Sequence, residues 1–219
     1  MKIALSQLNY IVGDFGFNRT LMLENIMKAS KSGVDLIIFS ELPICGYPPL
    51  DLLERKIFVE KSTTAIQTLA SEMPADIGVL LGAPEINEQK EGKLLFNSAY
   101  FLYNGKVKDT FRKSLLPTYD IFDEYRYFEP NKEFKILEFK GNKIAVTVCE
   151  DLWDDQPSEN HFSRSNLYTI NPMRELMNFN PDFIVNIAAS PFSFGRQQMK
   201  RQIFTDKAKK HGIPVFMVN

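Results

Sequence analysis

Lys143-Ile-Ala-Val-Thr-Val-Cys-Glu-Asp-Leu-Trp153 changes character at Cys149. The run Ile144 to Val148 is apolar and rich in β-branched residues, which predicts a buried strand. Glu150, Asp151, Asp154 and Asp155 follow, so the strand opens into a polar loop at its C-terminal end. A thiol at such a point is held by the sheet yet faces the rim, where loops carry function. A lone cysteine there is equally a small packed hydrophobe, and its reading depends on the rest of the chain.

Working outward, Gly141-Asn142 separates this strand from Phe134–Phe139, which predicts a hairpin. Tyr103-Asn-Gly105 joins Asn97–Leu102 to Lys106–Phe111 in the same way. Elsewhere strands and helices alternate: a strand over Ile3–Leu8, a turn at Gly13–Gly16, a helix over Asn18–Ser32 stopped by Gly33, and a strand over Val34–Phe39. A helix over Ile57–Met73 and a strand over Ile77–Leu81 follow. Beyond Cys149 come a polar insertion over Asp154–Tyr168, a helix over Asn171–Asn178, a strand over Phe183–Ala188, a helix over Ser193–His211 and a last strand over Val215–Val218. The strands Val34–Phe39, Ile77–Leu81 and Phe183–Ala188 are apolar throughout, so both their faces should be covered. Hairpins mixed with strand–helix–strand units predict mixed sheets with helices outside.

The totals fit this. A chain of 219 residues with 44% hydrophobic and 24% charged residues reads as one sizeable α/β domain. A net charge of −1 gives no electrostatic case for nucleic acid or an anionic membrane as partner. No segment approaches the roughly 18 unbroken apolar residues of a membrane helix, and two cysteines make no disulfide framework. Reduced thiols and a cytoplasmic setting are expected. The closing strand Pro214–Asn219, with nothing after it, predicts further sequence downstream.

Two other charged residues are expected at strand ends. Glu41 follows Leu36-Ile-Ile-Phe-Ser40 and precedes a turn fixed by prolines and Gly46, while Lys113 follows Val107–Phe111. Were these ends to meet at Cys149, a carboxylate, an ammonium and a thiol would converge. That set suits acyl transfer: the carboxylate takes the thiol proton, the thiolate attacks a carbonyl carbon, and the ammonium steadies the oxyanion. The four acidic residues at 150, 151, 154 and 155 read as a solvated loop, not a metal site. His161 falls in the insertion, His211 in a helix's last turn and Cys45 in packing. The basic residues Lys200, Arg201, Lys207, Lys209 and Lys210 read as a solvated helix face.

Ser40-Glu41-Leu-Pro with Gly46-Tyr47, Arg112-Lys113 with Leu116-Pro117, and the strand ending in Cys149 resemble the three signature segments of the nitrilase, or carbon–nitrogen hydrolase, superfamily. The resemblance implies a four-layer αββα sandwich with Glu41 as base, Lys113 as oxyanion stabiliser and Cys149 as nucleophile. Cys149-Glu-Asp-Leu-Trp153, Leu116–Phe128 and Ala188–Arg196 are similar to the glutaminase domains of glutamine-dependent NAD synthetases. That branch implies L-glutamine as substrate, with Tyr47, Tyr119, Phe122, Glu124, Glu150, Trp153, Ser190 and Arg196 around it. Phe122 and Trp153 would be walls, Glu124 would hold the substrate amine or assist the base, and Arg196 would pair with the α-carboxylate. It also implies ammonia transfer to a synthetase domain of the same protein, a homo-oligomer, and no cofactor here. ATP and Mg²⁺ are expected only in the synthetase domain, whose Ser-Gly-Gly-x-Asp loop does not occur in this sequence. A free-standing amidase or nitrilase, and an inactive truncated interaction module, are the alternative functions.

Overall fold

A computed structural model describes residues 1–153, 168–192, 194 and 196–219. The first half contains strand β1 (Ile3–Leu5), helix α1 (Phe15–Lys31), strand β2 (Leu36–Ile38), helix α2 (Lys56–Glu72), and strands β3 (Gly78–Ile86), β4 (Leu95–Tyr103) and β5 (Lys106–Arg112). These strands form one sheet in chain order, parallel through β1, β2 and β3 and antiparallel from β3 to β5. The second half contains a short helix α3 (Glu124–Tyr127), strands β6 (Leu137–Phe139) and β7 (Asn142–Val148), helix α4 (Pro172–Met177), strand β8 (Phe183–Ile187), helix α5 (Arg196–His211) and strand β9 (Val215–Val218). Its sheet has the order β6-β7-β8-β9, with an antiparallel hairpin followed by parallel strands.

Side chains alternate across a strand, so an all-apolar strand feeds two cores at once. Leu36 and Ile38 of β2 pack with Leu80 and Phe101 against Ile144, Val146, Val185 and Ile187 of the other sheet. Their neighbours Ile37 and Phe39 face Met22 and Ile26 of α1 and Ile66 and Leu69 of α2. On the far side, Ala145 and Ile184 pack against Met173 and Leu176 of α4 and against Leu152. Three apolar seams therefore separate four layers, helix, sheet, sheet and helix, as the sequence led us to expect.

The boundaries differ in instructive ways. Helix α1 starts at Phe15, inside the expected turn, because the Asp14 side chain accepts from the Phe17 N–H and caps it there. Strand β3 runs on to Ile86, past Gly82 and Pro84. Strand β2 pairs with β3 only as far as Leu80, so Pro84 has one neighbouring strand and its missing N–H breaks no ladder on the open side. The apolar pattern misses this because the extra pairing comes from β4 alone. The expected insertion lies, apart from Tyr168, outside the described residues, as do Asp154, Asp155 and His161. The basic face of α5 is not uniformly solvated: Lys207 is buried and Lys200 half-buried. No helix among the described residues is long and apolar enough to cross a membrane.

Candidate active site

Three chain segments leave their sheets at neighbouring points. Glu41 lies just past β2, and its backbone N–H donates to Ala188 O beyond β8 (3.2 Å), tying the two sheets together. Behind it, a Cβ on Gly82 would stand 2.5 Å from Leu42 N and 3.0 Å from Glu41 Cα, so the Glu41 turn rests directly on bare β3 backbone. Asn18 of α1 holds the same turn by donating to Ile44 O (3.2 Å). Lys113 follows β5 directly, with its N–H on Asn97 O (2.8 Å). Cys149 follows β7 and opens a single 3₁₀ turn, Cys149–Trp153. Its φ of 45° is in the left-handed region, which costs a non-glycine residue about 1–2 kcal/mol. Asn186 of β8 steadies the turn by donating to Cys149 O (3.2 Å).

The Lys113 ammonium is fully buried between two carboxylates, 2.8 Å from Glu41 Oε1 and 2.7 Å from Glu124 Oε2. Asn97 Nδ2 donates to Glu41 Oε1 (2.8 Å), the Ala189 N–H to Glu41 Oε2 (3.0 Å) and the Tyr47 hydroxyl to Glu124 Oε1 (2.9 Å). A carboxylate has about four acceptor positions. Among the described residues three on Glu41 are taken, which leaves one on Oε2. Burial pulls the Lys113 ammonium down, but Glu124 and Glu41 overcome it and hold Lys113 well above the ordinary lysine range. Burial, opposed by Lys113 and reinforced by Glu41, pushes Glu124 up to about 7. Burial and then the Glu41 carboxylate push the Cys149 thiol far above its ordinary range, with Lys113 opposing them. That direction favours the neutral thiol at rest.

Cys149 Sγ lies 3.7 Å from Ser190 Oγ, and both residues line a cavity of about 170 Å³. Tyr119, Phe122, Glu150 and Trp153 are among its other walls, with the Tyr119 and Phe122 rings edge to face at 5.8 Å. Glu150 Oε1 accepts from Tyr119 OH (2.7 Å) and from Tyr168 OH (2.9 Å). Burial raises the Glu150 carboxyl above its ordinary range against these two hydrogen bonds. A second cavity of about 310 Å³ touches Ser190 from the other side and is lined by Glu41, Tyr47 and Tyr10. Thus Glu41, Lys113, Glu124 and Tyr47 form one hydrogen-bonded group. Cys149, Glu150, Tyr119, Phe122, Trp153 and Ser190 surround the adjoining cavity. The side chain of Arg196, at the start of α5, lies outside the described residues.

Some participants escaped the sequence reading, and one reading is corrected. Glu150, which the resemblance already put at the pocket, and Asp151 are buried and not part of a solvated loop; the carboxylates of Asp151 and Glu150 turn inward onto backbone N–H groups and tyrosine hydroxyls respectively. Asn97 interrupts the apolar β4 and Asn186 the apolar β8, and a polar residue inside an all-apolar strand is the signal that would have found both. Asn219 pins Ser190 by accepting from its N–H (2.8 Å) and donating to its carbonyl (3.1 Å). Met199 and Lys200 also reach the thiol cavity. Among the described residues no three His, Cys, Asp or Glu side chains form a metal-ligand set.

The raised carboxyls have a consequence for stability. Glu124 near 7 and Asp151, pushed by burial up to about 6, both lie above the unfolded values. The folded state therefore holds extra protons between about pH 4 and pH 7, and stability falls as pH rises through that window. Urea midpoints should drop more steeply between about pH 5 and pH 8 in the native sequence than in Glu124→Gln. Equal slopes would show that Glu124 is ionised throughout.

The profile of the family described as carbon–nitrogen hydrolase matches residues 2–157. The glutamine-dependent NAD(+) synthetase of Synechocystis sp. is 38% identical over 99% of this chain, which covers 39% of that protein. The synthetase of the same name from Acinetobacter baylyi is 32% identical over the whole chain, with 37% of its length covered. The chain thus spans well under half the length of these relatives. The solved structure of the Acinetobacter baumannii glutamine-dependent NAD+ synthetase superposes with a TM-score of 0.83 at 31% identity, covering 97% of this chain and 37% of that one. An amidase from Nesterenkonia sp., 19% identical, shares the fold with a TM-score of 0.78 over 100% of this chain and 75% of its own. The matched span holds Glu41, Lys113 and Cys149 together with both sheet exits that carry them, and the chain belongs to the carbon–nitrogen hydrolase family.

Proposed function

We propose that this domain hydrolyses the side-chain amide of L-glutamine to glutamate and ammonia through a thioester on Cys149. The observation that carries the reading is a fully buried ammonium, spanning two carboxylates, whose charge reaches a thiol on a left-handed turn. In this reading the Cys149 proton passes to the open position on Glu41 Oε2 as sulfur bonds the amide carbon. The developing oxyanion is met by Lys113 Nζ and the backbone N–H of Glu150. Collapse breaks the C–N bond, and Glu41 returns the proton to the leaving nitrogen, releasing ammonia. Water then adds to the thioester with Glu41 as base again, and departing sulfur regains the proton.

The neutral resting thiol fits this course, because ionisation is coupled to attack and a buried thiolate need not persist. Glu124 keeps Lys113 charged and in place. Phe122 and Trp153 supply apolar walls for the substrate's methylenes. Both tyrosines occupy Glu150 Oε1, which leaves Oε2 for the substrate ammonium; Arg196 is assigned the α-carboxylate. The likeness to NAD(+) synthetases supports delivery of the ammonia to a synthetase domain that amidates deamido-NAD. ATP and Mg²⁺ would act in that domain. A cytoplasmic homo-oligomer is the proposed setting.

Labelling with diazo-oxo-norleucine followed by mass mapping tests the assignment. The adduct is expected on Cys149, with glutamine protecting and propionamide not protecting. Ammonia release from glutamine should exceed that from simple aliphatic amides by about 10² or more, because a site built for polar groups rejects a substrate lacking them. Equal turnover would move the reading to a general amidase, and an adduct confined to Cys45 would remove Cys149 from the chemistry.

A further inference from the structure

Lys113 and Cys149 belong to different sheets. Lys113 extends β5 of the first and Cys149 extends β7 of the second, and the interface between those sheets is an apolar seam. Apolar packing has no direction, so the seam by itself leaves the ammonium-to-sulfur distance loosely set. Besides the Glu41 contacts to Ala188 and Ala189, the Asp151 side chain spans the gap next to Lys113 and Cys149 themselves. Asp151 Oδ1 accepts from the backbone N–H groups of Ser114 and Leu115, each at 2.9 Å. Asp151 Oδ2 accepts from the Val148 N–H at 3.0 Å. Ser114 is the residue after Lys113, and Val148 is the residue before Cys149.

We infer that Asp151 is a positioning residue that registers Lys113 against Cys149 by clamping the covalent neighbours of both with one carboxylate. It is buried and does not line the thiol cavity. It backs instead onto a separate cavity of about 260 Å³, with Ser114, Asn131 and Arg112. Asn131 strengthens the same clamp, since its N–H donates to Lys113 O (2.9 Å) and its side chain to Ser114 Oγ (3.4 Å). Three N–H groups converging on one carboxylate is more than a short turn needs to satisfy itself. Two of them come from the other sheet's loop.

This inference rests on the roles given above to Lys113 and Cys149, and the test separates the two. Asp151→Asn keeps the shape but sets an amide N–H₂ where an acceptor stood, so one side of the clamp must open. A misplacement of about 1 Å near the reacting atoms is worth about 10²-fold in rate. Glutamine kcat should fall by about that factor with KM little changed, as expected when only the transition state loses a contact. The second readout is the pH profile of Cys149 alkylation by iodoacetamide, followed by mass mapping. Burial and the charges of Glu41, Glu124 and Glu150 raise the thiol's pKa, and Lys113 lowers it. Retreat of Lys113 should therefore move the profile to higher pH. A purely structural role would lower the melting temperature and leave that profile in place. The alkylation profile needs no substrate, so it still decides the matter should glutamine prove the wrong amide. A folded Asp151→Asn protein with native kcat and an unmoved profile overturns the inference. If that variant does not fold, Asp151→Glu, which keeps the acceptors but displaces them, is read by the same two measurements with the same outcomes.

Discussion

Lys113→Met will abolish amide hydrolysis, by about 10³-fold or more, and will destabilise the protein as well. The activity loss follows from removing the cation proposed to face the developing oxyanion, an effect worth about 10²–10³ for a single donor. The loss of register with Glu41 adds to it. The stability loss has a separate origin. Glu41 and Glu124 are buried on either side of the ammonium, and deleting one partner of a buried ion pair costs about 3–5 kcal/mol because the other charge is left uncompensated. Methionine fills the lysine's volume, so cavity formation contributes little. The two origins can be pulled apart by adding Glu124→Gln. The double variant carries one buried carboxyl instead of two and should regain about 1–3 kcal/mol over Lys113→Met, since a group that must be buried charged or take up a proton on folding is gone. It should regain no activity. Urea unfolding and ammonia release measure the two effects. Activity within tenfold of native in Lys113→Met would remove the ammonium from the mechanism, and an unchanged urea midpoint would mean that the buried ion pairs of Lys113 contribute no net stability.

The layers were legible in the chain because all-apolar strands of β-branched residues leave little choice but cover on both faces. Ile37 and Ile38 point to different cores for no reason beyond strand alternation. Glu41 and Cys149 could be located for a related reason: each stands where an apolar run ends, a local change of polarity, whereas Lys113 ends the polar strand Lys106–Arg112 and was singled out by the strand end and the family resemblance. What stayed hidden is long-range. Asp151 reads as one of a row of acids, and only a partner 37 positions earlier in the chain, Ser114, makes it a buried acceptor. Glu124 was named through the resemblance, but its partners Lys113 and Tyr47 lie 11 and 77 positions away and no local pattern marks them. Asn219 caps Ser190 across 29 residues. Local pattern marks where chemistry-bearing residues leave the sheets; which of them meet is set by how the two sheets stack.

Cys149→Ser will keep the fold and lose glutamine hydrolysis by about 10⁴-fold or more, a larger effect than any other single substitution considered. A hydroxyl is a much weaker acid than a thiol, and serine hydrolases make up the difference with a histidine base. The group available here is a carboxylate, already accepting three hydrogen bonds. In the synthetase setting, the same variant should stop glutamine-driven amidation and leave ammonium-driven amidation intact. Backbone strain at this position gives a second, independent signature. The left-handed φ of 45° is borne by Cys149 and would be borne equally by alanine, whereas glycine adopts it freely. Cys149→Gly should therefore be more stable than Cys149→Ala by about 1 kcal/mol, the reverse of the usual ranking for the two residues. Both are inactive, so the comparison isolates the turn from the chemistry. If alanine proves the more stable, the turn at 149 is relaxed, and the sulfur owes its orientation to Asn186 and Ser190 instead of to a strained backbone. If Cys149→Ser retains native turnover, the sulfur is a bystander and the nucleophile must be sought elsewhere in the cavity, with Ser190 the next group in line.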